Sequence, residues 1–232
     1  MIAWFLSMAL AFADPLEDLT IASNPELSEE VRQKAFTNLV QTGATNMSYV
    51  LSISQDEAAP IRQRWVAIRA LGAIKGDQAE QVLLKLSSDS HPAIRAASVS
   101  ALGDLGLDDN TGMVMVRLKD DAIIVRVAAA EALGKLKDPK AIQSLKKSLE
   151  DQSNYYRGAS LWVRTHYVTA LGNIGTPEVY PVLLTCLKDE DERVVKEAVA
   201  VLEKMTQFSL ADGRSWEQEI EAWERWLGNQ LK

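Results

Sequence analysis

A block of about 31 residues recurs along this chain and limits what it can fold into. Five segments align on an arginine: RWVAIRALG from Arg64, RAASVSALG from Arg95, RVAAAEALG from Arg126, RTHYVTALG from Arg164 and, more weakly, RQKAFTNLV from Arg32. A sixth, VKEAVAVLE from Val195, keeps only the apolar positions. The marker leucines lie 32, 31, 31, 38 and 31 residues apart, at Leu39, Leu71, Leu102, Leu133, Leu171 and Leu202. A fixed period of this length indicates internal structural repeats.

Each repeat carries two helical patterns. In the first half, apolar residues recur at spacings of three and four, as from Ile94 to Leu105, which is typical of an amphipathic helix. Four glycines are predicted to end these first helices, because glycine tolerates the left-handed conformation of a helix end: Gly72, Gly103, Gly134 and Gly172. A capping residue such as Asp138 then starts a second helix, and no segment predicts a strand.

Neither helix of a repeat can bury its apolar face alone, so neighbouring repeats must stack and share one core. The fold class is therefore predicted to be all-α, an α-α superhelix of about six helix pairs. The tryptophans of the tail lie on one helical face and predict a helix that caps the last repeat: Trp216, Trp223 and Trp226.

The repeats resemble HEAT-like repeats, especially the short bacterial kind of the phycobilin lyase group. The resemblance rests on Ala-Leu-Gly at the end of the first helix, a Val-Arg or Ile-Arg pair that opens it, and an aspartate six residues before that arginine. Asp89 and Asp120 precede Arg95 and Arg126 in this way, and Asp189 precedes Val195. The resemblance covers residues 26–205 and implies that these charged residues form a ladder between repeats. It is specific for the fold and unspecific for function.

The two ends of the chain predict different roles. Residues 1–13, MIAWFLSMALAFA, have the apolar run and small-residue ending of a signal peptide. The alternatives are a buried terminal helix or a wrongly assigned start. Residues 14–232 then form one repeat domain, with repeats at about 26–205 and a cap at 206–232. We expect a periplasmic or secreted protein, or a cytoplasmic one if residues 1–13 are no signal peptide.

Thirteen helical residues span about 20 Å, less than the roughly 30 Å of a bilayer core, so no stable membrane insertion is expected after signal cleavage. The formal net charge of −7 disfavours nucleic acid as a partner.

The chemical inventory is sparse. The two histidines, His91 and His166, lie in different repeats, and neither is followed by glutamate. The paired His-Glu motifs of HEAT-repeat iron hydroxylases such as deoxyhypusine hydroxylase are therefore absent. No phosphate-binding loop or nucleophile elbow occurs, and Cys186 is the only cysteine. The sequence predicts no catalytic residue, no metal, no cofactor and no enzyme.

The second helices are expected to line the concave face and to bind a protein or peptide partner. Counting back from their terminal leucines selects a mixed apolar and basic row: Leu84, Lys85, Met113, Val116, Arg117, Lys147 and Val182. Such a row suits an amphipathic or acidic segment. The alternative is that its apolar members only widen the core.

The step of 38 residues exceeds the others by seven, and the surplus falls within the stretch 152–160, QSNYYRGAS, which is predicted to be a loop. Tyr155, Tyr156 and Arg157, with Trp162 beyond them, are residue types enriched at interfaces. The alternative is that the tyrosines fold back over the repeats.

Together these features predict a non-enzymatic binding or scaffold module of the bacterial envelope. The alternative is a lyase-like accessory subunit that presents a substrate to a catalytic partner.

Overall fold

The computed structural model describes residues 14–232, so the predicted signal peptide at 1–13 lies outside the described residues. Within 14–232, thirteen helices follow one another: α1 (Pro15–Ser23), α2 (Glu29–Gln41), α3 (Gly43–Gln55), α4 (Ile61–Ile74), α5 (Asp77–Leu86), α6 (Pro92–Leu105), α7 (Thr111–Arg117), α8 (Ile123–Leu136), α9 (Ile142–Glu150), α10 (Val163–Ile174), α11 (Tyr180–Cys186), α12 (Glu192–Thr206) and α13 (Trp216–Gln230). The first helices of the repeats are α2, α4, α6, α8, α10 and α12. The second helices are α3, α5, α7, α9 and α11. The predicted all-α solenoid is confirmed.

One continuous apolar core runs through the stack. Each first helix contributes its marker leucine to this core, and the marker leucines from Leu71 to Leu171 are all buried. The core extends from Leu19 in α1 to Leu227 in α13. Each second helix from α5 to α11 packs against the first helix that follows it. The repeats therefore depend on their neighbours for burial, as a solenoid requires.

The Ala-Leu-Gly glycines do not end the first helices, and that prediction is wrong. Gly72 and Gly103 lie inside α4 and α6, which continue for two more residues and end at caps with positive φ, 67° at Lys75 and 72° at Gly106. The glycines are needed for close packing instead. A Cβ on Gly103 would lie 2.7 Å from the Cα of Ala132, and one on Gly72 would lie 2.8 Å from the Cβ of Ala101.

The first helices approach one another much more closely than the second helices do. Successive first helices from α4 to α12 are in extensive contact, whereas α5, α7, α9 and α11 scarcely touch in succession. In a stack of two layers with unequal spacing, the closely spaced layer lies on the inside of the curve. The concave side is thus formed by the first helices, and the expectation that the second helices line it is wrong.

The insertion is a small hairpin rather than a loop without strands. After a short 3-10 turn at Gln152–Asn154, β1 (Tyr155–Tyr156) pairs antiparallel with β2 (Ala159–Ser160). The turn residues Arg157 and Gly158 have φ of 51° and 78°, as a tight two-residue hairpin turn requires. The expectation that no strand occurs is therefore wrong at this place.

The tail caps the last repeat as predicted. Helix α13 starts with a capping box between Ser215 and Gln218 and packs against α11. Trp223 is fully buried, stacks on Phe208 with ring centroids 5.3 Å apart, and meets Trp226 edge-on at 5.7 Å. These rings close the end of the apolar core.

Candidate functional site

An arginine–aspartate ladder joins neighbouring repeats, as the resemblance implies. Each arginine opens a first helix, and its aspartate lies 25 residues later, before the next first helix. The atom pairs are Arg64 Nη2 to Asp89 Oδ2 at 2.6 Å, Arg95 Nε and Nη2 to the Asp120 carboxylate at 2.8 and 2.7 Å, and Arg164 Nη1 and Nη2 to the Asp189 carboxylate at 3.0 and 2.5 Å. Each carboxylate also accepts a backbone N–H two residues on. The ladder residues therefore fix the stacking of repeats.

The insertion interrupts the ladder at Arg126. Its Nη1 donates to the carbonyl oxygens of Asp120 and Asp121 at 2.7 and 3.1 Å, and its Nη2 donates to that of Ser153 at 3.4 Å. Asp151 stands at the ladder position, but its carboxylate accepts the N–H of Ser153. Within residues 14–232, Arg126 forms no ion pair.

Hydrogen bonds to the ladder carboxylates outweigh the effect of their burial. Burial alone would raise the pKa of Asp120, but the Arg95 guanidinium and the Ala122 N–H hold it below its usual value. Burial likewise opposes the ionised form of Asp89, yet the His91 N–H and the Arg64 guanidinium keep its pKa lowered. Both groups are therefore more acidic in the folded chain than in the unfolded one.

We expect this ladder to make the protein unstable in acid. A carboxylate with a lowered folded pKa contributes its stability above its unfolded pKa of about 3.9, and that stability is lost as the pH falls through the folded value. The free energy of unfolding should be insensitive to these groups between neutral pH and about pH 5 and should fall below about pH 4. Urea unfolding at stepped pH measures it. An Asp120→Asn variant should show a shallower acid dependence, and an unchanged dependence would contradict this assignment.

The second-helix residues chosen from the sequence do not all face solvent. Val182 is only 3% exposed and belongs to the core, so its assignment to the outward row is wrong. The deepest positions of the second helices define their common register: they are Leu83, Val114, Leu145 and Leu183, which are spaced by the repeat steps of 31, 31 and 38. On this register Leu118, Leu149 and Leu187 match one another, whereas Leu86 matches Arg117. The outward row is therefore shifted by one residue in α5 alone, and Val182 is buried although its position matches that of the exposed Met113.

The register also defines which second-helix residues are exposed. Lys85, Val116, Lys147 and Thr185 occupy one position of it and all four are exposed. Met113 is exposed as well, whereas Leu84 and Arg117 are half-buried. Arg117 donates from Nη2 to Ser88 Oγ at 2.6 Å, a contact between neighbouring repeats. A partly basic, partly apolar surface is therefore present on the second helices.

The two hairpin tyrosines have different surroundings. Tyr155 is half-buried, its ring lies 4.7 Å from the Arg164 guanidinium, and its hydroxyl donates to the Leu149 carbonyl at 3.5 Å. Tyr156 is 63% exposed, and the exposed Arg157 lies 5.3 Å from its ring. Trp162 is 46% exposed. Tyr155 thus packs back over the repeats, while the other three side chains are open to solvent.

The concave side carries one residue that the sequence singled out, Trp162, and two that it did not, Trp65 and Ile124. We call the solvent-exposed side of the first helices the first-helix face; it presents Trp65 at 37%, Ile124 at 48% and Trp162 at 46% exposure. Helix α6, between the helices of Trp65 and Ile124, presents the small side chains of Ala96 and Ser100. Ile124 and Trp162 lie two residues before the marker arginines of their repeats, Trp65 and Ala96 lie one residue after theirs, and Ser100 lies five residues after its own. The repeat alignment therefore predicts which positions recur on this face, but it does not predict which layer of helices is concave.

The potentially reactive side chains are dispersed. His91 Nδ1 accepts the Ala93 N–H at the start of α6, and His166 Nδ1 lies 3.3 Å from Glu131 Oε1. Burial raises the pKa of the Cys186 thiol to about 12. In the described part of the chain, no three metal-binding side chains come together, and no helix is long and apolar enough to cross a membrane.

Tandem helical hairpins around one elongated core define an α-solenoid. A family model described as HEAT repeats matches residues 50–114, 108–163 and 157–212, most of the chain. The protein belongs to the HEAT-repeat family.

Two solved structures show the same fold. One is the complex of CpcE and CpcF of phycocyanin lyase from Nostoc sp. PCC7120, with a TM-score of 0.57 and 22% identity over 80% of this chain and 67% of that chain. The other is a designed armadillo repeat protein in complex with the peptide (KR)4, with a TM-score of 0.50 and 17% identity over 82% of this chain and 98% of that one. At these identities the likeness concerns the fold alone.

A curated relative corrects the prediction that the protein is no enzyme. Deoxyhypusine hydroxylase of Drosophila pseudoobscura pseudoobscura is 24% identical over 195 residues, which cover 81% of this chain and 63% of the relative. A second Drosophila hydroxylase matches similarly. Because these relatives are named as an enzyme, the prediction is wrong. The chain spans less than two thirds of their length.

Proposed function

We propose that the protein binds a segment of a partner protein along its first-helix face and holds it as a scaffold. The observation that carries the proposal is the row of exposed apolar side chains on the concave side, Trp65, Ile124 and Trp162. Large aromatic side chains contribute much of the binding energy at protein interfaces. The concave surfaces of solenoids are extended and suit long segments.

The shape of this face supports an extended occupant. Ala96 and Ser100 on α6 are small, while Trp65 on α4 and Trp162 immediately before α10 are large and lie on either side of them along the stack. An extended peptide can lie over the small residues and place apolar side chains against the flanking rings. The exposed Tyr156 and Arg157 of the hairpin lie six and five residues before Trp162 and would lengthen the surface.

A second candidate function follows from the comparisons. The relatives are named deoxyhypusine hydroxylase, and one structural neighbour is part of a phycocyanin lyase. On this candidate function, the chain holds a segment of a partner protein while that segment is chemically modified. The chain would then be the substrate-presenting part of a modifying enzyme. A change in mass of the bound partner would distinguish this role from simple scaffolding.

The location in the bacterial envelope is also a proposal. It rests on the apolar residues 1–13 with their Ala-Phe-Ala ending. Cell fractionation with an N-terminal sequence of the mature protein tests it, and a protein that retains residues 1–13 in the cytoplasm would contradict it.

Site-specific photo-crosslinking tests the binding face. A photoreactive amino acid at Ile124 or Glu131, both exposed on first helices, should crosslink to a partner protein in the native host. The same group at Gln81 or Gln143, both exposed on second helices, is the matched control and should give little product. Mass spectrometry identifies the crosslinked protein. Crosslinks from the second-helix positions alone, or from neither face, would contradict the proposal.

A further inference from the structure

Three arginines surround a small pocket at the N-terminal end of the first-helix face. The pocket has a volume of about 130 Å³ and lies between α2 and α4. Arg32 comes from α2, and Arg62 and Arg69 come from α4; the aromatic walls are Phe36 and Trp65. The only carboxylate in the lining is that of Glu29, which pairs with Arg32.

Aromatic rings hold one of these guanidinium groups in place. The Cζ atom of Arg69 lies 4.9 Å from the centroid of the Phe36 ring and 4.7 Å from that of the Trp65 ring. Such cation–π contacts leave the N–H edge of the guanidinium free to donate. Because the side chain is already ordered, less conformational entropy is lost when a ligand binds.

Two of the arginines have no partner in the described chain. Among residues 14–232, neither Arg62 nor Arg69 forms an ion pair or a side-chain hydrogen bond, and both are exposed. In a chain whose formal net charge is −7, a lining of three arginines and one glutamate is a local reversal of sign. Complementarity therefore favours an anionic partner at this end of the face.

The observations favour carboxylates of a protein over nucleic acid. The acidic remainder of the molecule repels a long polyanion, whereas one or two carboxylates meet only the local field. A pocket of this size accepts a single side chain, and planar guanidinium groups match carboxylates with two parallel hydrogen bonds. Arginines on two helices suit more than one carboxylate along a segment.

We infer that Arg62 and Arg69, with Arg32, bind side-chain carboxylates of an acidic segment of the partner protein at the N-terminal end of the first-helix face. The inference rests on the proposed function for the use of this face. It names the chemistry of the partner: aspartate or glutamate side chains that alternate with apolar residues, since the arginines and the exposed Trp65 lie in one pocket.

Fluorescence anisotropy with defined peptides tests the inference. The probe is a labelled, acetylated and amidated peptide of alternating glutamate and leucine, and its match has glutamine for every glutamate. The double variant Arg62→Gln and Arg69→Gln should raise the Kd for the glutamate peptide about tenfold, because two charge-assisted contacts are lost. The control variant Lys34→Gln and Arg225→Gln changes the net charge equally at exposed residues outside the pocket and should change Kd less than about twofold.

Several outcomes would overturn the inference. The first is that the wild-type protein binds the two peptides with equal affinity. The second is that the two double variants lose affinity for the glutamate peptide equally. The third is that tight binding occurs only when the glutamine peptide carries a free C-terminal carboxylate. Competition by a single-stranded oligonucleotide at the same site would also do so. If crosslinking still occurs at Ile124, the proposed function stands and only the acidic chemistry is wrong. If the double variant has a lower melting temperature than the wild-type protein, the single variant Arg62→Gln is used in the same titration. Its stability should be unaffected, because no described ring stacks on Arg62.

Discussion

Replacing Asp120 by alanine is expected to lower the free energy of unfolding by about 3–5 kcal/mol. The Asp120 carboxylate accepts two hydrogen bonds from Arg95 in the preceding repeat and one from the N–H of Ala122. Both members of the pair are largely buried. Without the carboxylate, Arg95 would keep a largely buried charge without its ion-pair partner, which is why the loss should be large. Urea unfolding at neutral pH, followed by circular dichroism, measures it.

Asp104→Ala is the matched control. Asp104 pairs with Lys135 at 2.7 Å, again across neighbouring repeats, but both side chains are about half exposed. Water can replace the lost contact, so the expected cost is at most about 1 kcal/mol. Equal losses in the two variants would show that burial does not distinguish the ladder from ordinary surface pairs.

The ladder is the part of the structure that the resemblance to HEAT-like repeats predicted best. Asp89 and Asp120 recur at one position of the repeat, and recurring charged residues in a fixed frame must meet equivalent neighbours in each repeat. What the sequence could not show was the break at Arg126. There the insertion places a turn at Ser153, whose N–H and carbonyl bind Asp151 and Arg126 separately.

The binding surface was predicted less well, for a geometric reason. Hydrophobic periodicity shows which side of a helix is buried, but it does not show which layer of helices is spaced more closely. The small residues in Ala-Leu-Gly carried that information, and a glycine has two uses, at helix ends and in close contacts. The sequence analysis assigned these glycines to helix ends, whereas in the structure they allow close contacts between first helices. Trp65 and Arg69 were therefore not recognised as surface residues of the concave side.

The hairpin illustrates a weaker sequence signal. Two strands of two residues each, Tyr155–Tyr156 and Ala159–Ser160, are too short to produce an alternating pattern. The turn is Arg157-Gly158, whereas hairpins are usually indicated by Asn-Gly or Asp-Gly. Gly158 alone indicated a tight turn, and a glycine is also common in loops without strands.

The close packing of first helices leads to a second large expected effect. Gly103→Ala should lower the free energy of unfolding by about 3 kcal/mol, the upper part of the range for overpacking. The added Cβ would lie 2.7 Å from the Cα of Ala132 and 2.8 Å from its Cβ. A backbone atom cannot move aside by changing a rotamer, so α6 and α8 must separate. Urea unfolding of the variant and the wild-type protein gives the difference.

Gly112→Ala is the matched control, because a Cβ at Gly112 in α7 meets no atom within 4 Å. Alanine there should stabilise the protein by about 0.5 kcal/mol, since it restricts the unfolded chain and favours helix. The two substitutions are chemically identical, and one falls at a buried position of a first helix while the other falls at an exposed position of a second helix. If Gly103→Ala were as stable as Gly112→Ala, the first helices would not be the closely spaced layer. The assignment of the concave side, and with it the proposed binding face around Trp65 and Trp162, would then be wrong.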